Sequence, residues 1–183
     1  MKTLISWFIA AACLSLFAAR AELKPFAEPI LLTSCGQSAD ALMMKTLLTR
    51  DSLAFMYVPA ATASDLTGKG SVLLVVGGSS KGLGAAKISA EEETARASAL
   101  LGAARKAGIP VLVVHLGGAA RRGVLSDAFI RLGAENARHI IVVKGGNDDD
   151  LFTQIASEKK IPLQVSDTAL HVSPLVHALF RSH

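Results

Sequence analysis

The segment Gly77-Gly78-Ser79-Ser80-Lys81-Gly82-Leu83-Gly84 carries the densest chemical signal in the chain. Gly78, Gly82 and Gly84 stand at the G-x-x-x-G-x-G spacing that can admit a dinucleotide pyrophosphate. That use requires a helix beginning at the glycines, so that its free N–H groups aim at the phosphates. Here Ser89-Ala90-Glu91-Glu92 forms a capping box, which places the expected helix start several residues later. The glycines also follow the third apolar run, not the first, and no Tyr-x-x-x-Lys pair accompanies them. No nucleotide cofactor is expected.

The same residues spell G-x-S-x-G centred on Ser80. Asp148 or Asp149, then His171 or His177, follow in the Ser…Asp…His order of α/β-hydrolases. A serine hydrolase with Ser80 as nucleophile is therefore the enzymatic alternative, although the elbow also requires a sharp strand-to-helix turn. A second nucleophile, Cys35, stands between an apolar run and a helix N-terminus, and His115 ends another run. That allows a Cys–His pair; the plainer reading is a small residue filling a tight turn.

The cations form a more consistent group. Lys81, Arg121, Arg122 and Lys144 all follow apolar runs, alongside Ser34, Gln37, Ser38, Ser79, Ser80, Gly82, His115 and Asn147. Arginine can hold a carboxylate or phosphate bidentately, with hydroxyl and backbone N–H groups completing the shell. These residues predict a site for a small anionic metabolite. The competing expectation is that the cations are solvated or pair with Asp127 and Asp148. Asn147-Asp148-Asp149-Asp150 lacks the alternating oxygens and distal Glu of a calcium loop and reads as a helix start. The histidines at 115, 139, 171, 177 and 183 show no i,i+4 pair, so no metal is expected.

The elements that must position these groups alternate regularly. Apolar runs at 30–34, 53–58, 72–76, 111–115, 139–143 and 163–165 read as strands, and the third is uninterrupted, as in strands buried on both faces. Helical patterns lie between them, with Ser38, Ser89, Ser126 and Asn147 or Asp148 as starts. The last helix is expected from about 168 to 180, starting near Ser173 or kinked because of Pro174. This alternation predicts one three-layer α/β domain with five or six mainly parallel strands, flavodoxin-like or Rossmann-like. The first, third and fourth strands are expected to be central. In such sheets ligands bind at the carboxyl ends of the strands, beside a switch in strand order.

Four blocks carry a resemblance. They are the segment beginning Ile30-Leu31-Leu32-Thr33-Ser34-Cys35-Gly36-Gln37, the 77–86 loop, Gly118-Ala119-Ala120-Arg121-Arg122-Gly123, and Val143-Lys144-Gly145-Gly146-Asn147-Asp148. Together they resemble a family of small exported bacterial α/β proteins classed as a domain of unknown function. The resemblance implies the fold and the export. It brings no assigned activity, cofactor or catalytic residue.

The N-terminus agrees with export. Lys2, the uncharged apolar run 4–19 and Ala19-Arg20-Ala21 read as a cleaved signal peptide over 1–21, leaving a single domain over 22–183. The location expected is the periplasm or outside the cell, with no membrane attachment after cleavage. The 183 residues hold 19 Lys and Arg against 15 Asp and Glu. Removing Lys2 and Arg20 lowers the net charge to about +2, too little for a phosphate-tracking surface. With few aromatics as well, nucleic acid is not an expected partner. Protein partners are not specified by these features.

Overall fold

The computed structural model describes residues 25–181, so the signal peptide expected over 1–21 lies outside the described residues. Six strands, β1 (Ile30–Cys35), β2 (Phe55–Tyr57), β3 (Ser71–Val76), β4 (Val111–His115), β5 (His139–Val143) and β6 (Leu163–Ser166), form one sheet. Their order is β2-β1-β3-β4-β5-β6, and every pairing is parallel. The protein is a three-layer α/β domain. β1, β3 and β4 lie inside the sheet as expected from their apolar runs, the least interrupted of the six, and β5 joins them as a fourth interior strand.

Six helices cover the sheet: α1 (Asp40–Arg50), α2 (Ser80–Ala86), α3 (Ala90–Lys106), α4 (Val124–Ala134), α5 (Leu151–Lys159) and α6 (Val172–Arg181). Met44, Leu47 and Leu48 of α1 and Val172, Val176 and Phe180 of α6 pack on one face against Leu32, Leu73 and Leu112. Leu83 of α2 and the apolar stripes of α3, α4 and α5 pack on the other, against Leu31, Leu74 and Val113. Right-handed crossovers explain the division. The chain first moves outward from β1 to β2, then back past β1 to β3 and onward in the opposite direction. Crossover helices on the two sides of that reversal must lie on opposite faces, whereas α6 follows the last strand, belongs to no crossover and packs on the α1 face. The reversal makes the carboxyl ends of β1 and β3 a switch point.

Local starts and stops differ from the sequence reading in instructive ways. The second strand shrinks to three residues because it is an edge strand paired only along Ile30–Leu32. Pro174 is accommodated in the first turn of α6, where its missing N–H costs nothing. Ser126 does not cap α4, which begins two residues earlier; its hydroxyl exchanges hydrogen bonds with the N–H and carbonyl of Gly78. A helix also begins directly at the glycine-rich segment, against expectation. The Ser79 hydroxyl accepts the Gly82 N–H at 3.0 Å and starts α2, which ends at Lys87 in the left-handed conformation before the Ser89 capping box opens α3.

The glycines of that segment are explained by packing. A Cβ on Gly82 would lie 1.9 Å from the Gln37 carbonyl oxygen, and one on Gly78 would meet Leu125 Cγ at 2.8 Å. Backbone and side chains of this protein occupy the space that a side chain at either position would need. Around Gly84 nothing lies within 4 Å. Gly82→Ala should therefore lower the denaturation midpoint clearly, because the obstacle is backbone. Gly84→Ala should leave stability unchanged or raise it by up to about 1 kcal/mol, the helix-propensity difference. Urea unfolding of the two variants side by side checks both.

Candidate functional site

The carboxyl edge is assembled first from the backbone of β1. Gly36 and Gln37 both take positive φ, 100° and 56°, to turn the chain away from the sheet. Gln37 then bridges Gly78, which ties the loop after β1 to the loop after β3 across the switch point. Beneath this turn lies the fully buried Glu93 of α3. Its Oε1 accepts the Gly36 N–H at 2.9 Å, and its carboxyl group takes Arg96 at 2.7 Å and Gln37 Nε2 at 3.2 Å. Arg96 donates onward to the carbonyls of Ser34 and Ala61, both at 2.7 Å. Gln37 is thus a structural clasp.

Several other sequence candidates have structural partners of the same kind. Asn147 Oδ1 accepts the N–H groups of Phe152 and Thr153, opening α5. Each ring nitrogen of His115 faces a carbonyl oxygen, Val76 at 3.0 Å and Gly118 at 3.2 Å, and its ring packs on Phe152. Cys35 points into the same apolar layer and bonds the Phe129 carbonyl at 3.6 Å. The structure does not join Cys35 to His115 as a nucleophile pair. Burial, with the Glu93 charge adding to it, pushes the Cys35 thiol up to about 12, and Arg96 opposes this only partly.

Ser80 is exposed at the first residue of α2, in a strand-turn-helix context that fits an elbow. Its expected partners are elsewhere. His177 lies on α6, on the opposite face of the sheet, and lines a pocket with Arg50, Asp51 and Ser173. His171 precedes α6. Asp149 is engaged by Arg122.

The two consecutive arginines diverge. Arg122 is enclosed: it donates to Asp127 at 2.7 Å, to Asp149 through both terminal nitrogens at 2.8 Å, and to the Gly146 carbonyl. A cleft of about 260 Å³ beside it is walled by Asp127, Asp148 and Asp149, which suits no anion. The acid partners are Asp127 and Asp149, where the sequence pointed to Asp127 and Asp148. Arg121 instead turns toward α1, over Gly117. A Cβ on Gly117 would lie 1.9 Å from Arg121 Cγ and 2.7 Å from Asp40 Oδ2, so only glycine leaves this space. Arg121 Nε lies 3.7 Å from Asp40 Oδ2, too long for a hydrogen bond, and its side chain is 37 % exposed. Lys81 and Lys144 are exposed, Lys81 in the first turn of α2 and Lys144 opening the turn after β5.

Three polar residues complete this corner on the α1 side. Ser38 is buried and its hydroxyl accepts the Asp40 N–H at 3.2 Å, but the cap position of α1 is Ala39, one residue later than expected. Ser34 shares the α1-facing side of β1 with Leu32, by strand alternation. Ser34 Oγ and Asp40 Oδ2 are both buried and neither has a hydrogen-bond partner. Buried polar atoms without partners are few in native proteins and call for an explanation. Asp40, Gly117 and Glu93 escaped the sequence reading. Glu93 alone left a signal: it stands four and seven residues before Ala97 and Leu100, in line with the buried stripe of α3, with Arg96 three residues on.

Fold and site define a doubly wound α/β domain with a polar corner at its switch point. No described helix is long and apolar enough to cross a membrane. The chain belongs to the family described as Domain of unknown function (DUF6305), whose model matches residues 27–180. No curated protein and no solved structure matches it.

Two predictions follow from the partners described. Cys35 should resist iodoacetamide at pH 8 in the native domain and react at the ordinary rate in denaturant, as mass spectrometry would record. Hydrogen bonds from Arg122 hold the Asp149 carboxyl at about 2, below its ordinary 3.8. A depressed folded value means the stabilisation is complete above about pH 4 and is lost as pH falls toward 2. Because the Asp149 side chain is 60 % exposed, the effect on overall stability should be small. Arg122→Gln should move the Asp149 titration, followed by carboxyl NMR, back toward its ordinary value.

Proposed function

We propose that this domain is an exported, non-catalytic binding module for a small anion, held at the carboxyl ends of β1, β3 and β4. The reading is carried by Arg121. Its guanidinium sits at the switch point with no hydrogen bond to satisfy its donors, beside the buried Asp40 Oδ2, which also lacks a hydrogen-bond partner. Arg122, Gln37 and Asn147 stabilise the loops instead of meeting the ligand, while Lys81 and Lys144 add positive charge at the rim. The leader-like pattern of residues 1–21 supports export to the periplasm or beyond, and the partner in this reading is a small metabolite.

Because Arg122 is neutralised by two acids, the cations do not simply repel one another in the free domain. Anion stabilisation should depend chiefly on Arg121. In thermal unfolding of the mature protein at constant ionic strength, phosphate, sulfate or a simple carboxylate should stabilise more than chloride. A ligand at 100 times its Kd adds about 2.7 kcal/mol, which shifts the midpoint of a domain this size by several degrees. Arg121→Gln should abolish the difference. Equal stabilisation by all salts in both proteins would overturn the proposal. The Ser80 hydrolase remains the second reading because α2 starts directly at Ser80. Fluorophosphonate labelling that disappears in Ser80→Ala would establish it in place of binding.

A further inference from the structure

Resting on that reading, the corner around Gly117 indicates which anions it selects. Arg121 presents donors, yet the group beside it is an acceptor: Asp40 Oδ2, buried, 3.7 Å away and without a hydrogen bond. Asp40 is only 8 % exposed, and Gly117 leaves the space between strand end and helix open to both side chains. An anion alone satisfies the guanidinium and leaves the carboxyl oxygen orphaned, at the cost of a buried acceptor without a donor. A bare anion also meets repulsion from Asp40. A ligand with a donor one bond removed from its carboxylate satisfies both groups.

We infer that the ligand is an α-hydroxy or α-amino acid, its carboxylate on Arg121 and its hydroxyl or ammonium group on Asp40. The half-exposed Arg121 side chain turns outward to admit it, since the 3.7 Å contact is all that holds the guanidinium. Sites that hydrogen-bond a substrate polar group reject the analogue lacking it far more strongly than sites that merely enclose it, because the protein group is then left unpaired.

Calorimetric titration of the mature protein with propionate, lactate and alanine provides the test, since the three share a carbon skeleton and differ at the α position. Lactate and alanine should bind at least tenfold more tightly than propionate. Asp40→Asn should remove most of alanine's advantage, Asp40→Ala should remove that of both, and Arg121→Gln should weaken all three. Far-UV circular dichroism and the melting temperature establish that each variant is folded. If Asp40→Ala fails to fold, Asp40→Asn with alanine against propionate carries the comparison. Equal binding of all three acids, or advantages that persist in both Asp40 variants, would overturn this inference and leave the anion site standing. Binding of phosphate but none of the acids would do the same. Absence of binding by the acids and phosphate alike would overturn the anion site as well.

Discussion

The carboxyl end of β1 depends on one buried ion pair. β2 pairs with β1 only through Leu32, so the backbone beyond that point faces no strand on one side. Proteins rarely leave such groups unpaired. Here the Ser34 N–H reaches the Pro59 carbonyl, the Ser34 carbonyl takes Arg96, and the Gly36 N–H takes Glu93. Two side chains of α3 therefore finish the sheet edge that the short strand leaves open. Removing one member of such a pair costs about 3–5 kcal/mol in proteins, because its partner is left charged and buried. The same pair sets the position of Gln37 and, through the Gln37–Gly78 bridge, that of the loop after β3.

With that edge held, the switch point is filled by protein on one side and polar on the other. On the α3 side, the Gln37 carbonyl presses on Gly82 and Leu125 presses on Gly78, so that neither position has room for a side chain. On the α1 side, Asp40 and Arg121 meet over Gly117, and Ser38 bonds the Asp40 N–H. A glycine pattern with the spacing of a nucleotide loop thus serves close packing here. Such a pattern specifies close backbone approach; whether the object approached is a ligand or another part of the chain depends on the neighbouring loop.

The arginine pair shows how electrostatics divides the edge. Arg122 is charge-balanced by Asp127 and Asp149 and fastens the loop after β4 to the start of α5. Arg121, one residue earlier, faces a single carboxyl group at a distance that forms no hydrogen bond. Adjacent residues of identical chemistry therefore stand differently, one fastened by hydrogen bonds and one held only by a long ion pair.

The alternation of apolar runs and helical patterns determined the layered parallel sheet, because β-period and helix-period burial are written locally in residue types. Unbroken runs such as Val72 to Val76 likewise marked the interior strands, since only a strand covered on both faces can be apolar throughout. Start signals were legible where they act within one turn, as at Ser89 and its capping box with Glu92. Tertiary structure alone decided the rest. Ser126 looked like a cap but bonds Gly78, 48 residues away. Whether Asp148 or Asp149 meets Arg122, and which arginine stays open, depends on where α5 starts relative to the loop after β4. Asp40 and Gly117 lie in different crossovers, and no local pattern relates them. Their meeting is a consequence of the reversal in strand order, a long-range packing result that residue spacing along the chain does not encode.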